Sequence, residues 1–319
     1  MRPARWLGHA MTTCAPIMAR FREPTADTPT RLAVLADLHL NVTDHGSWRV
    51  SHRTVARFER TVESLNNQEF DAVVFIGDLV DSGTRAEFEA FDRILAGLDH
   101  PFVAIPGNHD LIDWHDEGKP GLASFEDRYT PEPLPYHARI GGIDLLAMNS
   151  NQSTHQETAA SYTGRIEPSS LAWLEAQLDA VAHPLVVVHH NLPGIRELYA
   201  ETADALETSV GSPGFETAAD TLATLQRGHA PLVLNGHLHF PAVVTRDGVR
   251  EFTLPPLGPY PCGYTTFDID TDGTIARFHG VATYDGRMEA FDLGYEKDRV
   301  RIAAAQLAGL PLVDEWSQT

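Results

Sequence analysis

The sequence predicts an α/β fold built on a largely parallel sheet with helices covering it, and three observations carry that reading. Six short runs are rich in Val, Ile and Leu without polar alternation, as strands buried on both faces require. Segments of helical period lie between them, which is the pattern of strand–helix–strand units. Each of these runs also stops in polar residues, five of them in Asp, Asn or His residues capable of metal binding, and the carboxyl ends of strands are where open α/β sheets bind ligands.

The runs are RLAVLADLHL from 31, DAVVFIGDLV from 71, PFVAIPGNHD from 101, GIDLLAMNSN from 142, PLVVVHHNLP from 184 and PLVLNGHLHF from 231. After the first, a helix is expected with Val55, Phe58, Val62 and Leu65 on one stripe; after the second, another with Phe88, Phe91, Ile94 and Leu95. Residues 168–181 open with Pro168 and Ser169 and carry Leu171, Leu174 and Leu178, a helix with its start signal intact. A further helix is expected over 215–227. Beyond 240 the patterning changes to period two with Asp-Gly at 247–248, 272–273 and 285–286, which predicts an antiparallel meander. Residues 296–319 form a tail with one helix, and residues 1–29 are expected to be a mobile extension. In that extension Arg2 and Arg5 are followed by His9, Thr12 and Thr13, so no secretory leader is read there. The catalytic unit is placed at 30–295, and 319 residues suit one compact domain.

Composition excludes several function classes. No apolar run approaches the roughly 20 residues that span a bilayer, so a cytoplasmic protein without a membrane partner is expected. Formal charge is −20, and Lys119 and Lys297 are the only lysines. Such a surface disfavours a sequence-blind grip on nucleic acid. It suits either a salt-adapted protein or an ordinary acidic cytosolic one. Cys14 and Cys262 provide no disulfide framework and no spaced metal motif.

The strand ends supply Asp37 and His39, then Asp78, then Asn108, His109 and Asp110, then His189 and His190, and last His237 and His239. Singly, each has an ordinary explanation: a cap, a turn, a half-buried core histidine. Jointly, five strands ending this way are not explained by solubility. His237 and His239, two apart on an extended chain, are expected to leave the backbone on one side. Imidazoles mixed with carboxylate and amide oxygens suit manganese, iron, cobalt or zinc better than a magnesium or calcium cage. Asn149 ends another run and could orient substrate or make a turn, and His45, His115 and His155 are read as surface histidines.

Asp-x-His at 37–39, Gly-Asp at 77–78, Gly-Asn-His-Asp at 107–110, His189 and Gly-His-x-His at 236–239 follow one another in order. With these motifs the chain resembles the calcineurin-like metallophosphoesterases, and the spacing of DLHL, GDLVDSG and PGNHD is similar to that of class III cyclic nucleotide phosphodiesterases. The resemblance implies a four-layer α/β/β/α sandwich of two mixed sheets flanked by helices, with the strands after 240 contributing the second sheet. It implies a dinuclear centre of two divalent metal ions (Mn²⁺, Fe²⁺/Fe³⁺, Zn²⁺ or Co²⁺). Asp37, His39 and His239 would hold one ion, Asn108, His189 and His237 the other, and Asp78 would bridge them. A hydroxide shared by two metals about 3.5–4 Å apart would then attack phosphorus. By the same resemblance His109 assists the leaving group and Asp110 holds its other ring nitrogen. His190 is expected to stand behind His189. The implied substrate is a small phosphodiester, possibly a 3′,5′-cyclic nucleotide; phosphomonoesters, nucleotide pyrophosphates and nuclease substrates share the same metal core. A non-catalytic scaffold would have lost a ligand or His109, and none is lost here. Substrate choice falls to the loops at 41–52, 111–136, 150–166 and 191–214.

Overall fold

A computed structural model describes residues 15–43, 46–111, 121–151, 162–205 and 214–317. The first strands are β1 (Ile17–Phe21), β2 (Thr30–Leu35), β3 (Ala72–Ile76) and β4 (Phe102–Ile105). Next come β5 (Tyr136–Ile140), β6 (Ile143–Ala147), β7 (Pro184–Val187) and β8 (Val233–Asn235). The chain then adds β9 (Ala242–Arg246), β10 (Val249–Thr253), β11 (Gly263–Asp270), β12 (Gly273–Gly280) and β13 (Val313–Asp314). The helices are α1 (Thr54–Asn66), α2 (Arg85–Leu95), the single turn α3 (Asn108–Leu111), α4 (Leu122–Tyr129) and α5 (Pro168–Ala180). They continue with α6 (Pro193–Ala205), α7 (Ala218–Arg227), α8 (Tyr284–Gly294) and α9 (Asp298–Ala308).

Two sheets form, in the orders β13-β1-β12-β11-β2-β3-β4 and β5-β6-β7-β8-β10-β9. The alternation of β3 shows how one apolar strand serves two layers. Val74 and Ile76 face the inter-sheet core with Leu145, Val187, Leu234 and Phe252, while Val73 and Phe75 face Phe58, Phe88 and Phe91 beneath α1 and α2. The outer face of the second sheet is covered by Leu171, Leu174 and Leu178 of α5 and Leu222 and Leu225 of α7. Helix, sheet, sheet, helix is therefore the layer order.

Four expectations change. The six apolar runs do not share one sheet: β2, β3 and β4 are parallel neighbours in the first, and β6, β7 and β8 in the second. The strands beyond 240 do not make the second sheet by themselves, because β9 and β10 join it while β11 and β12 enter the first between β1 and β2. The Asp-Gly pairs at 247–248 and 272–273 do turn hairpins, but the pair at 285–286 lies inside α8, whose Thr283 hydroxyl caps Gly286. Residues 17–29 do not behave as an extension. Met18, Ala19 and Phe21 are fully buried, β1 pairs with β12, and the tail strand β13 pairs with β1. Pairing the two terminal segments in this way protects the edge of the first sheet.

Candidate metal centre

All of the strand-end residues picked out by chemistry converge where the carboxyl ends of β2, β3 and β4 meet those of β7 and β8. Asp37, His39, Asp78, Asn108, His109, His189, His237 and His239 are each no more than 6% exposed. Donor atoms of Asp37, His39, Asp78 and His239 lie within 4.8 Å of one another, as do those of Asp78, His189 and His237, so Asp78 belongs to both groups.

The backbone reaches this arrangement by leaving the extended conformation. Asp37, His39, Asp78, His237 and His239 have φ of 52°, 45°, 53°, 71° and 60°. Left-handed backbone at non-glycine residues is uncommon and concentrates at functional sites. The expectation that His237 and His239 share a face of a strand is corrected here, since β8 ends at Asn235. Gly236 N–H and Leu238 N–H instead fold back on His189 O and Gly236 O, Leu238 turns into the core, and the two imidazoles join different groups. Close approach requires glycine at Gly107 and Gly236 among other points. A Cβ on Gly107 would fall 2.1 Å from Asp78 Oδ1, and one on Gly236 would fall 2.7 Å from Asp37 Oδ2.

The polar atoms fit cations. Both amide atoms of Asn108 and the Nε2 atoms of His189 and His237 are buried without a hydrogen-bond partner. Orphaned buried polar atoms are costly, so the two imidazole nitrogens and the Asn108 carbonyl oxygen call for a ligand. His39 Nε2 and His239 Nε2 face each other at 2.9 Å. His189 donates Nδ1–H to Ile76 O at 2.9 Å, so Nε2 is the atom turned to the site, 3.4 Å from Asp78 Oδ2. Burial lowers His237 and His239 well below the ordinary histidine range, as a neutral ligand needs. Burial pushes Asp37 up to about 6. Burial also raises Asp78, but His189, His109 and His39 outweigh it and hold that carboxyl well below its ordinary range. Burial disfavours charge on His189, yet Asp78 and Asp37 overcome it and raise the imidazole to about 9. The pocket electrostatics thus favour positive charge between Asp78 and His189.

The surroundings correct one expectation. Asp110 does not hold His109: its carboxylate accepts N–H bonds from Val80 and Gly107, at 3.1 and 2.8 Å, and so fixes the loop rather than the imidazole. His109 donates Nδ1–H to the carbonyl of Asp81 at 2.5 Å. His190 belongs to neither ligand group. Its ring is 4.5 Å from that of His237, and its Nδ1 meets Ser150 Oγ at 2.7 Å. Asn149 makes a turn, its Oδ1 accepting Asn151 N–H. His45, His115 and His155 lie outside the described residues.

Sequence reading missed three residues that matter here. Asp81 places its carboxylate 3.3 Å from His39 Nδ1 and 3.3 Å from Arg49 Nη1. Arg49 lies 3.4 Å from His109 Nε2. Glu251, buried under the second sheet's contribution, accepts N–H bonds from Leu192 and Ile195 and from Asn235, which in turn accepts from Asn191. The second Asp of GDLVDSG was a readable signal for Asp81; Arg49 and Glu251 had none.

Residues 30–241 match the family model described as calcineurin-like phosphoesterase. The chain belongs to that family. Curated relatives of this calcineurin-like phosphoesterase include the glycerophosphodiester phosphodiesterase GpdQ of Enterobacter lignolyticus, 29% identical over 169 residues, or 51% of this chain and 56% of the relative. Another is the 3′,5′-cyclic adenosine monophosphate phosphodiesterase CpdA of Escherichia coli, 25% identical over 77% of this chain and 87% of the relative. The chain spans little more than half the length, 56%, of the first relatives it matches. Among solved structures, a dimetal phosphatase from Danio rerio superposes with a TM-score of 0.59 at 15% identity, covering 80% of this chain and 98% of that one, which is a likeness of fold.

Proposed function

We propose that this chain is a metal-dependent phosphoester hydrolase acting on a small phosphodiester. The observation that carries the reading is the pair of ligand groups sharing Asp78, with unpartnered Nε2 atoms on His189 and His237 and the amide of Asn108 buried and unpartnered beside them in the sequence motif of His109 and Asp110. Asp37, His39 and His239 would hold one cation, Asn108, His189 and His237 the second, with Asp78 serving both; the ligand set suits manganese, iron, cobalt or zinc. Bound there, two cations would supply Lewis-acid charge to phosphoryl oxygens and lower the pKa of an attacking water.

The chain's own residues do the rest. Asp37 accepts the His237 N–H at 2.9 Å, tying the end of β2 to the loop beyond β8 and fixing the separation of the two ligand groups. His109 is held through Nδ1 by the Asp81 carbonyl with Nε2 3.4 Å from Arg49 Nη2, where the protonated ring could meet a substrate oxygen. Among the described residues no helix is long and apolar enough to cross a membrane. Diester over monoester is favoured because the relatives named above differ in their substrates yet are both named phosphodiesterases. A 3′,5′-cyclic nucleotide is the finer form of the proposal.

The test is Asp78→Ala, assayed on bis-p-nitrophenyl phosphate with Mn²⁺ supplied and with metal content measured. Loss of both metal and hydrolysis is expected, and retained hydrolysis would overturn the mechanism. A panel of cyclic nucleotides, dinucleotide pyrophosphates, p-nitrophenyl phosphate and single-stranded DNA then decides the substrate class.

A further inference from the structure

A protein of net charge −20 that hydrolyses anions needs positive charge concentrated where they bind. The loop after β2 provides it. Arg49 sits at the rim of the metal groups with its side chain 23% exposed, Nη1 3.3 Å from Asp81 Oδ1 and Nη2 3.4 Å from His109 Nε2. Both contacts are long for charge-assisted bonds, which run nearer 2.7–2.9 Å. The Nε atom is buried and has no hydrogen-bond partner. A guanidinium has five donors in a fixed fork, so most of its capacity is unspent.

The fork is also held in place. Its carbon lies 5.1 Å over the Trp48 ring, and that ring lies 5.5 Å from the imidazole of His239. Val50, the next residue, is fully buried at φ 57°, a conformation that β-branched residues avoid. It packs with Cys262 and Ala290, which keeps the chain turned so that Trp48 and Arg49 face the site. The cation lies beside Asp81 and His109 and within electrostatic reach of His39, His239 and Tyr162, and Arg299 acts on His239 and Tyr162 as well.

We propose that Arg49 is a substrate-binding residue, its guanidinium gripping a non-bridging oxygen of the phosphodiester while the Trp48 ring backs it. This rests on the phosphodiester reading above and adds the group that captures the anion alongside the cations. His109 and Arg49 would then meet the same phosphoryl group from adjacent positions, Arg49 supplying permanent charge.

The test uses the metal-loaded full chain with Arg49→Ala and Arg49→Lys. Bis-p-nitrophenyl phosphate gives KM and kcat, and inorganic phosphate serves as the binding probe by calorimetry. Arg49→Ala should weaken phosphate binding and raise KM roughly 10- to 100-fold, the value of a charge-assisted bond. Metal content should be unchanged, Arg49→Lys should be intermediate, and added guanidinium should partly restore Arg49→Ala but not stimulate the unaltered chain. Phosphate affinity within twofold of the unaltered chain, with metal retained, overturns the proposal. Metal loss in both variants also overturns it, by making Arg49 a support for Asp81 and His39. If the unaltered chain hydrolyses no diester, the functional reading fails, while the phosphate calorimetry still decides the role of Arg49.

Discussion

The two sheets build their halves of the site in different ways. The first contributes Asp37, His39, Asp78 and Asn108 from three adjacent parallel strands, and holds them by backbone packing: Asp37 N–H bonds to Gly77 O, His39 N–H to Asp78 O, and Gly107 lies against the Asp78 carboxylate. The second contributes only imidazoles, and a buried side-chain chain Asn191–Asn235–Glu251 ties together the two loops that carry them, while His189 Nδ1–H reaches across to Ile76 O. The oxygen-rich half is therefore fixed by shape and the nitrogen-rich half by a polar network. A shape-fixed half should fail through geometry when a methyl group is added. A network-held half should fail through stability and pH.

The largest effect is expected from Gly107→Ala. Its Cβ cannot fit beside Asp78 without moving backbone or carboxylate, so diester hydrolysis should fall at least about 100-fold, with metal loss seen by elemental analysis. Gly236→Ala, which meets the rim of the Asp37 carboxylate, should lose less; equal losses would erase the contrast in how tightly these two approaches are packed. His109→Ala comes next. Turnover should drop about 100-fold or more with poor leaving groups while metal content stays normal. Metal loss in that variant would move His109 from substrate contact to ligand support.

The second half is probed through Glu251. Burial pushes its carboxyl up to about 7 from an ordinary 4.5. A folded pKa above the unfolded one gives stability that is complete below pH 4.5 and is lost as pH rises through 7. Glu251→Gln should remove that slope, worth on the order of 3 kcal/mol at full extent, when urea unfolding is compared at pH 4.5 and 8. It should carry a separate constant cost of about 1–2 kcal/mol, because one amide N–H must face a backbone donor. Identical pH profiles for the two proteins would mean Glu251 stays ionised under its three N–H donors. The smallest effect is from salt: 2 M KCl should raise the unfolding temperature by about 2–5 °C by screening the acidic surface. It acts on both halves alike, so it should leave the ratio of the two glycine variants unchanged; a fall in unfolding temperature would refute the surface argument.

Much of the fold was legible because burial on both faces leaves an unmistakable apolar run. β3, with all five residues buried, is the clear case. Its partition between sheets was not legible, since β3 and β7 look alike in composition but belong to different sheets. The strand β1 was missed because IMARF is short and flanked by polar residues; its burial comes from β12 and β13, more than 250 positions away. α6 was missed because Pro193 and Gly194 read as loop, although Pro is at home in a first helical turn.

By itself the sequence determined which residue types end the strands, and their order singled out Asp37, His39, Asp78, Asn108, His109, His189, His237 and His239 as one candidate set. Only the tertiary structure decided who supports whom. His109 is oriented by a backbone carbonyl of Asp81, and a carbonyl carries no side-chain signature to read. His39 and His239 meet across 200 positions, and they do so through left-handed turns that strand alternation could not foresee. Local chemistry is written in residue identity, whereas contact depends on where two packed sheets bring distant loops together.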